Sequence, residues 1–317
     1  MISRRILRIK VMQAIYAYHT QDGKASINAV EKELFFSINK TYDLYHYLLV
    51  LIIDIANYAQ KRIELAQNKK LPSEQDLNPN TRFIDNQAIN LIRTNNQLLR
   101  YLEQNKLNWA IYPEIVKGLY NSMVETEEYN SYISLEGESF QEDKSFIIKV
   151  YKNIIANFEQ LYTVLEEQSI YWNDEVEFVI GIIIKTIKKL KPEDDENFSL
   201  LPLYKSEDDV EFTKKLFRSV ILKRSEYNKL IEQFSKNWDF DRIAFMDILL
   251  LEMAITEAIE FPGIPLKVTF NEYIELSKFY STKRSNVFIN GILDKIFQHL
   301  KETKKIVKQG RGLIGDI

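Results

Sequence analysis

WDFDRIAFMDILLLEMAI at 238–255, PLKVTFNEYIELSKFYS at 265–281 and SNVFINGILDKI at 285–296 form the part of this 317-residue chain whose reading decides the fold. In the first segment Ile243, Met246, Leu250 and Met253 fall at helical spacing, which predicts an amphipathic helix with a wide apolar face. Phe261-Pro262-Gly263 ends it, because proline and glycine do not continue a helix cheaply. Thr269, three residues before Glu272, predicts a capping box at the start of the next helix. A third helix opens near Ser285 and carries Ile289, Ile292, Leu293 and Ile296 on one side. Three amphipathic helices joined by short turns make a compact unit, and the fold class expected is all-α.

The rest of the composition agrees with a helix-rich chain long enough to bury one large domain or two ordinary ones. Glycine and proline are scarce, at 9 and 7 residues. There is no cysteine, which excludes disulfides, thiolate metal sites and cysteine nucleophiles. The net charge of −3 does not mark a nucleic-acid binder, so any such function must rest on a local patch. Residues 4–10 hold Arg4, Arg5, Arg8 and Lys10 with no acid, the tail from Lys301 to Arg311 is basic, and 193–211 is strongly acidic. The longest apolar runs, Leu48–Ile55 and Phe178–Ile184, fall far short of a membrane span. The opening MISRRILRIKVMQAIY has charge but no cleavable apolar stretch. A cytoplasmic protein with no membrane partner is expected.

Residues 3–19 predict a first helix with Leu7, Val11, Ala14 and Tyr18 along one face. Tyr16 lies roughly 20° around the wheel from Arg5, at about 100° per residue. A ring and guanidinium groups on one side suit single-stranded RNA, whose bases stack while arginines hold phosphates. The same arginines also read as an ordinary solvated helix end. Gln21-Asp22-Gly23 predicts a turn, Ile27–Ile38 a short second helix, and Lys40–Ala66 a long one. Further helices are expected at 84–105, 111–123, 146–167 and 176–190, with a loop at 69–80 and a looser polar stretch at 126–143. Lys191–Asp209 reads as a linker or as an ordered acidic loop. From Val210 a helical pattern resumes and runs to Ser235. Tyr42–Glu64 and Phe212–Glu232 echo each other, through duplication of a bundle unit or through shared helix periodicity alone.

Several polar identities at fixed offsets go beyond what a generic bundle needs. They are Arg242-Ile243-Ala244 and Leu251-Glu252-x-Ala254, then Pro265-x-Lys267-Val268-x-x-Asn271-Glu272-x-Ile274-Glu275-Leu276-Ser277-Lys278, then Phe288-Ile289-Asn290-Gly291-Ile292-Leu293-Asp294-Lys295. Together they resemble the C-terminal subdomain of the NusB family of bacterial transcription antitermination factors. The opening is similar too, through Arg4, Arg5, Arg8, Val11, Gln13, Ala14, Ile15 and Tyr16, with Ile6 in place of one arginine and Met12 as an extra residue.

The resemblance implies a two-subdomain helical bundle of NusB type with an additional inserted helical region. Residues 1–40 would begin the N-terminal subdomain, 41–206 would be the insertion, and 207–237 would complete that subdomain. Residues 238–301 would be the C-terminal subdomain and 302–317 a basic flexible tail. It implies no catalysis and no cofactor. It implies binding of boxA-type single-stranded RNA together with the ribosomal protein NusE, in support of ribosomal RNA transcription by an elongation complex with RNA polymerase. The RNA-binding residues would be Arg4, Arg5, Arg8, Tyr16, Asn290 and Asp294. Glu252, an acid on an otherwise apolar helix, would face the protein partner. Gly291 reads as a packing residue that lets a neighbouring helix approach.

An enzyme has little to stand on. His19, His46 and His299 lie in separate elements and form no metal-spaced cluster. Gly310, Gly312 and Gly315 sit in a terminal tail with no flanking strand, so they are no phosphate loop. The same fold also occurs fused to RNA cytosine methyltransferases, but those use a cysteine nucleophile, which this chain lacks. The remaining alternative is a helical scaffold in which the insertion is the main interaction surface and RNA binding is lost. Three arginine–phosphate contacts would give a log–log salt slope near roughly −2, and a scaffold would give none.

Overall fold

The computed structural model describes residues 1–20, 25–235 and 242–314. The expected turn at Gln21-Asp22-Gly23 and the start of the expected helix at Trp238 lie outside the described residues. Within them the regular structure is helical, with no strand. The helices are α1 (Arg4–Thr20), α2 (Ile27–Gln67), α3 (Glu74–Leu77), α4 (Gln87–Thr94) and α5 (Asn96–Asn105). There follow α6 (Pro113–Val124), α7 (Glu127–Ile133), α8 (Phe140–Lys149), α9 (Glu159–Gln168) and α10 (Val176–Lys189). The last four are α11 (Glu207–Phe234), α12 (Phe245–Glu260), α13 (Leu266–Tyr280) and α14 (Ser285–Glu302).

The chain divides into two compact units. Residues Asn39–Leu203, with Met1, form a middle unit; Ile2–Ile38 and Tyr204–Ile317 form a terminal unit. The division falls inside α2, where two separate helices were expected. Residues 36–42 contain no proline or glycine, and the weaker helix formers Asn39 and Thr41 cost only tenths of a kcal/mol each. Ser37 Oγ donates to the Leu34 carbonyl at 2.7 Å and Lys40 Nζ reaches Asp43 at 2.7 Å, so the polar stretch is satisfied without breaking the helix.

The middle unit is built around the second half of α2. Leu44, Tyr45, Tyr47, Leu48, Leu49, Leu51, Ile52, Ile55 and Ala56 are all buried. A helix apolar on every side must be wrapped, and aromatic side chains do the wrapping. Trp109 stacks on Tyr47 at 4.0 Å and donates through Nε1 to the Tyr47 carbonyl at 2.8 Å. The Tyr151 hydroxyl donates to the Leu48 carbonyl at 2.8 Å, and Trp172 Nε1 to that of Lys40 at 2.7 Å. Each large ring thus buries apolar area while its polar tip finds a partner.

Two expected helices are broken, for local reasons. The helix expected at 84–105 restarts at Asn95, whose side chain caps α5 by accepting from Leu98 N at 2.9 Å. Asn95 Nδ2 also donates to the Phe198 carbonyl at 2.8 Å, and Asn96 N to that of Glu196 at 2.8 Å. Residues 191–203 are therefore an ordered acidic loop tied to the start of α5, the second of the two readings given for that stretch. The helix expected at 146–167 passes through a π turn at Val150–Ile154 and a 3₁₀ turn at Ile155–Asn157. Phe158 then turns out of the helix and seats on Gly118, where an added Cβ would lie 2.6 Å from its ring.

The terminal unit packs α11 against α12, α12 against α13, α13 against α14, and α1 against α11 and α12. Helix α12 is buried along nearly its whole length, from Asp247 to Ala258. Phe261-Pro262-Gly263 does end it, as expected. As far as Ile314, the tail expected to fray is held in place. Ile306 is buried, Lys308 Nζ donates to the Phe261 carbonyl at 3.1 Å, and Gln309 N donates to the Pro262 carbonyl at 3.0 Å.

The units differ in charge. Residues 39–203 hold 17 Lys and Arg against 25 Asp and Glu, a net of −8. Residues 2–38 and 204–317 hold 25 against 20, a net of +5. The small charge of the whole chain hides two opposite ones.

Candidate nucleic-acid interface

Helix α1 enters the terminal unit with its first turn rich in arginine, and each arginine meets a carboxylate from a different distance in sequence. Arg4 Nε donates to Asp209 on α11 at 3.0 Å. Arg5 makes a two-pronged pair with Glu272 on α13, Nε at 2.9 Å and Nη2 at 2.8 Å. Arg8 makes the same kind of pair with Glu257 on α12, at 2.7 and 2.8 Å. Arg4 and Arg8 also lie over the Phe212 ring, at 5.0 and 5.5 Å from its centroid.

Burial separates these three. Glu257 is inaccessible and the Arg8 side chain is only 4% exposed. Thr269 Oγ1 and the Tyr273 hydroxyl donate to the same carboxylate at 2.8 and 3.1 Å. Burial works against the charge on Arg8, but the neighbouring Glu257 charge and its hydrogen bonds more than offset it and hold the guanidinium pKa above its usual value. The Tyr273 hydroxyl is pushed well above the ordinary phenol value by burial and by the Glu257 charge. Arg8 is therefore a structural cation, and the expectation that it clamps a phosphate is corrected: its donors are consumed inside the bundle. Arg5, by contrast, has a side chain 52% exposed and Arg4 one 40% exposed. Glu272 is held below the usual carboxylate range by its hydrogen bonds from Arg5, against some burial.

The expected capping box at Thr269 and Glu272 is also corrected. Helix α13 starts four residues earlier, after Pro265, so Thr269 lies inside it. Its hydroxyl serves Glu257 and the Glu272 carboxylate serves Arg5 and Arg8, the latter at 3.5 Å. The same two side-chain types meet different partners because the tertiary ones are charged or buried, which makes their bonds stronger than a surface cap.

Glu252 was expected to face a partner. It is 1% exposed and accepts from Arg224 Nε at 3.2 Å. Burial raises its pKa to about 7 although Arg224 pulls the other way. Arg224 also meets His19 Nδ1 at 2.7 Å and lies 5.5 Å from the Phe245 centroid. Burial and the Arg224 charge lower the His19 pKa to about 4. Glu252 thus closes an internal cluster and cannot be a direct docking residue. A buried acid left without a cation would cost several kcal/mol, and Arg224 on α11, with no sequence signal of its own, offsets part of that cost.

Tyr16 is 43% exposed, edge-on to Phe245 at 5.6 Å. Arg5 is exposed as well, consistent with their shared side of the wheel. Asn290 and Asp294 are exposed on α14. Asp294 lines an open groove of about 470 Å³ with Lys267, Asn271, Leu266, Phe270 and Phe297. Motif residues from two helices thus converge on one apolar-floored trough with a charged rim. Among the described residues no hydrogen bond or ion pair joins Asn290 or Asp294 to Arg4, Arg5 or Tyr16. Gly291 is exposed with nothing within 4 Å of an added Cβ, so the packing role expected for it is not realised.

Asp247, by contrast, is buried and accepts from Ser281 Oγ at 2.5 Å and Ser285 Oγ at 2.9 Å, pinning the turn between α13 and α14 to the start of α12. Among the described residues no group of three or more acidic or histidine side chains is placed to hold a metal ion, and no helix is long and apolar enough to cross a membrane.

Comparison with known proteins matches this same region. The sequence profile of the NusB family covers residues 177–298, reaching back beyond 207 to take in α10. The transcription antitermination protein NusB of Salinibacter ruber is 41% identical over 115 residues, 36% of this chain and 72% of that protein. The protein of the same name from Chloroherpeton thalassium is 38% identical over 104 residues, covering 33% of this chain and 49% of its own length. That of Natranaerobius thermophilus is 33% identical over 107 residues, or 32% and 77%. No solved structure matches. The α12–α14 motifs, the helical bundle that carries them, the family match over 177–298 and these relatives agree: the chain belongs to the NusB family.

Proposed function

We propose that the chain is a cytoplasmic transcription antitermination factor that binds boxA-type RNA together with the ribosomal protein NusE, supporting ribosomal RNA transcription by RNA polymerase. The family is not one of enzymes, and the work is done by binding. The observation that carries the reading is the assembly of the terminal unit. The arginine-bearing α1 belongs to the same compact body as α12–α14 and is tied to it through Arg5–Glu272 and Arg8–Glu257. That body has a net charge of +5. Arg4 and Arg5 hold phosphates, Tyr16 offers a stacking ring, and Asn290 and Asp294 complete the surface beside the α13–α14 groove. Residues 41–206 are an insertion into this fold, and their net negative charge keeps RNA on the terminal unit.

A second reading is favoured by one observation: Arg4 and Arg5 are already paired with carboxylates. In that reading the chain is a scaffold whose inserted unit is the main interaction surface. Binding to a boxA-type RNA and to a scrambled control, each with and without NusE, separates the two. Tight binding that is selective for boxA and needs NusE is the expected result. Charge reversal at Arg4 and Arg5 then abolishes it, with each phosphate contact contributing about −0.7 to the log–log salt slope. NusE binding with no RNA selectivity and no response to charge reversal would leave the scaffold.

A further inference from the structure

The C-terminal tail carries a cation that the proposed RNA surface has not used. Its docking is built into the sequence. Gly310 sits at φ +53° and opens a short 3₁₀ turn, Gly310–Leu313. Gly312 lies so close to the α12–α13 turn that an added Cβ would fall 1.9 Å from the Pro262 carbonyl oxygen. With Ile306 buried and Lys308 and Gln309 bonded to Phe261 and Pro262, the tail is held on both sides of Arg311.

Arg311 is carried by this turn into the groove that holds Arg4. The groove, of about 310 Å³, is lined by both arginines together with Arg8, Ile264, Pro265 and Val268. The three guanidinium groups there are not equal. Arg8 is neutralised by Glu257, and Arg4 gives one nitrogen to Asp209. Arg311 is exposed and makes no side-chain hydrogen bond or ion pair among the described residues. Two partly or wholly unneutralised guanidinium groups over an apolar floor are complementary to a nucleotide, with the phosphate between the arginines and the sugar or base face on Ile264, Pro265 and Val268.

We propose that Arg311 and Arg4 together hold a backbone phosphate of the bound single-stranded RNA, so that the docked tail is a working part of the interface. This rests on the RNA reading above and extends it to a segment more than 300 residues away in sequence. With Arg8 withdrawn into the core, Arg311 adds an unpaired guanidinium beside Arg4, whose own pairing with Asp209 uses one nitrogen.

The test uses the full chain with NusE and a boxA-type single-stranded RNA, measured across a salt series. Arg311→Gln is expected to lower the magnitude of the salt slope by about 0.7 and to weaken binding about fivefold near 0.1 M salt. Gly312→Val keeps the charge but displaces the turn from Pro262, and is expected to give the same loss, with the double variant no worse than either single one. If Gly312→Val binds as the unsubstituted chain does while Arg311→Gln is weaker, the tail acts only as diffuse charge and the docked site is overturned. If Arg311→Gln leaves affinity and slope unchanged while the unsubstituted chain binds RNA, the inference fails and the RNA reading stands. Failure of the unsubstituted chain to bind RNA overturns both.

Discussion

The two units solve the same problem, a helix that is buried on all sides, with different chemistry. In the middle unit the buried part of α2 is surrounded by large rings whose polar tips bond main-chain carbonyls, as Trp109, Tyr151 and Trp172 do. In the terminal unit α12 carries acids into the core, and arginines answer them: Arg8 for Glu257 and Arg224 for Glu252. Further pairs lie around it, among them Arg218 with Glu31 and both Lys215 and Lys223 with Glu260. Neutral bonds inside a ring-lined core are nearly indifferent to salt and pH. A charged core is sensitive to both the loss of one partner and the titration of either. The unit proposed to present arginines to RNA is thus the one whose own interior is organised by arginine–carboxylate pairing.

The largest effect should come from breaking the charged core. Glu257→Ala leaves Arg8 buried without its anion, and the terminal unit should lose about 3–5 kcal/mol in denaturant unfolding. A loss under about 1 kcal/mol would show that Arg8 finds water or Glu272 instead, and that the contrast between the units is overstated.

A smaller effect is expected in the middle unit. Asn95→Ala removes the α5 cap and the tie to Phe198, and should cost about 1–2 kcal/mol with little dependence on salt. If hydrogen exchange in residues 191–203 did not accelerate in this variant, the acidic loop would be held by something other than Asn95.

The third prediction is one of sign. The Glu252 pKa is raised by burial from its ordinary carboxylate value to about 7. The folded state therefore holds this proton more tightly than the unfolded chain, and its stabilising contribution is present at low pH and fades as pH rises toward 7. His19 acts oppositely. Its folded pKa is lowered to about 4, so its contribution is present above the ordinary histidine value near 6.5 and is lost as pH falls toward 4. Relative to the unsubstituted protein, Glu252→Gln should gain in melting temperature as pH rises from 5 to 7, whereas His19→Asn should gain as pH falls over the same range. Parallel curves for both variants would show that the Arg224 cluster does not titrate in this window. The same titrations on Asn95→Ala should show no such tilt.

Much of the fold was readable because its signals are local. The apolar spacing of α12 and α14, the proline–glycine stop after Glu260 and the polar motif strings of α13 and α14 do not depend on neighbours. Boundaries were less readable where neighbours decided them. Residues 36–42 hold no proline or glycine and so permit α2 to run through, but they carry no positive signal for it, and nothing near Tyr151 announces the π turn, which depends on how the surrounding side chains are satisfied. The candidate site divides the same way. Arg4, Arg5, Tyr16, Asn290 and Asp294 emerge at the surface as helical spacing implies. Arg8 sits one turn further along α1 from the same cluster, yet it ends in the core, because whether an arginine is free depends on an acid 249 residues away.

By itself, then, the sequence determined the helical class, the family and the faces of α1 and α14, all of which rest on residue spacing within single segments. Only the tertiary structure decided which charges remain available. Ion pairs form between segments that packing brings together, and a carboxylate such as Glu257 or Glu272 removes an arginine from the surface without any mark in the local sequence. The same packing carried Arg311 from the chain's far end to the side of Arg4, because Gly312 alone leaves room for the Pro262 carbonyl.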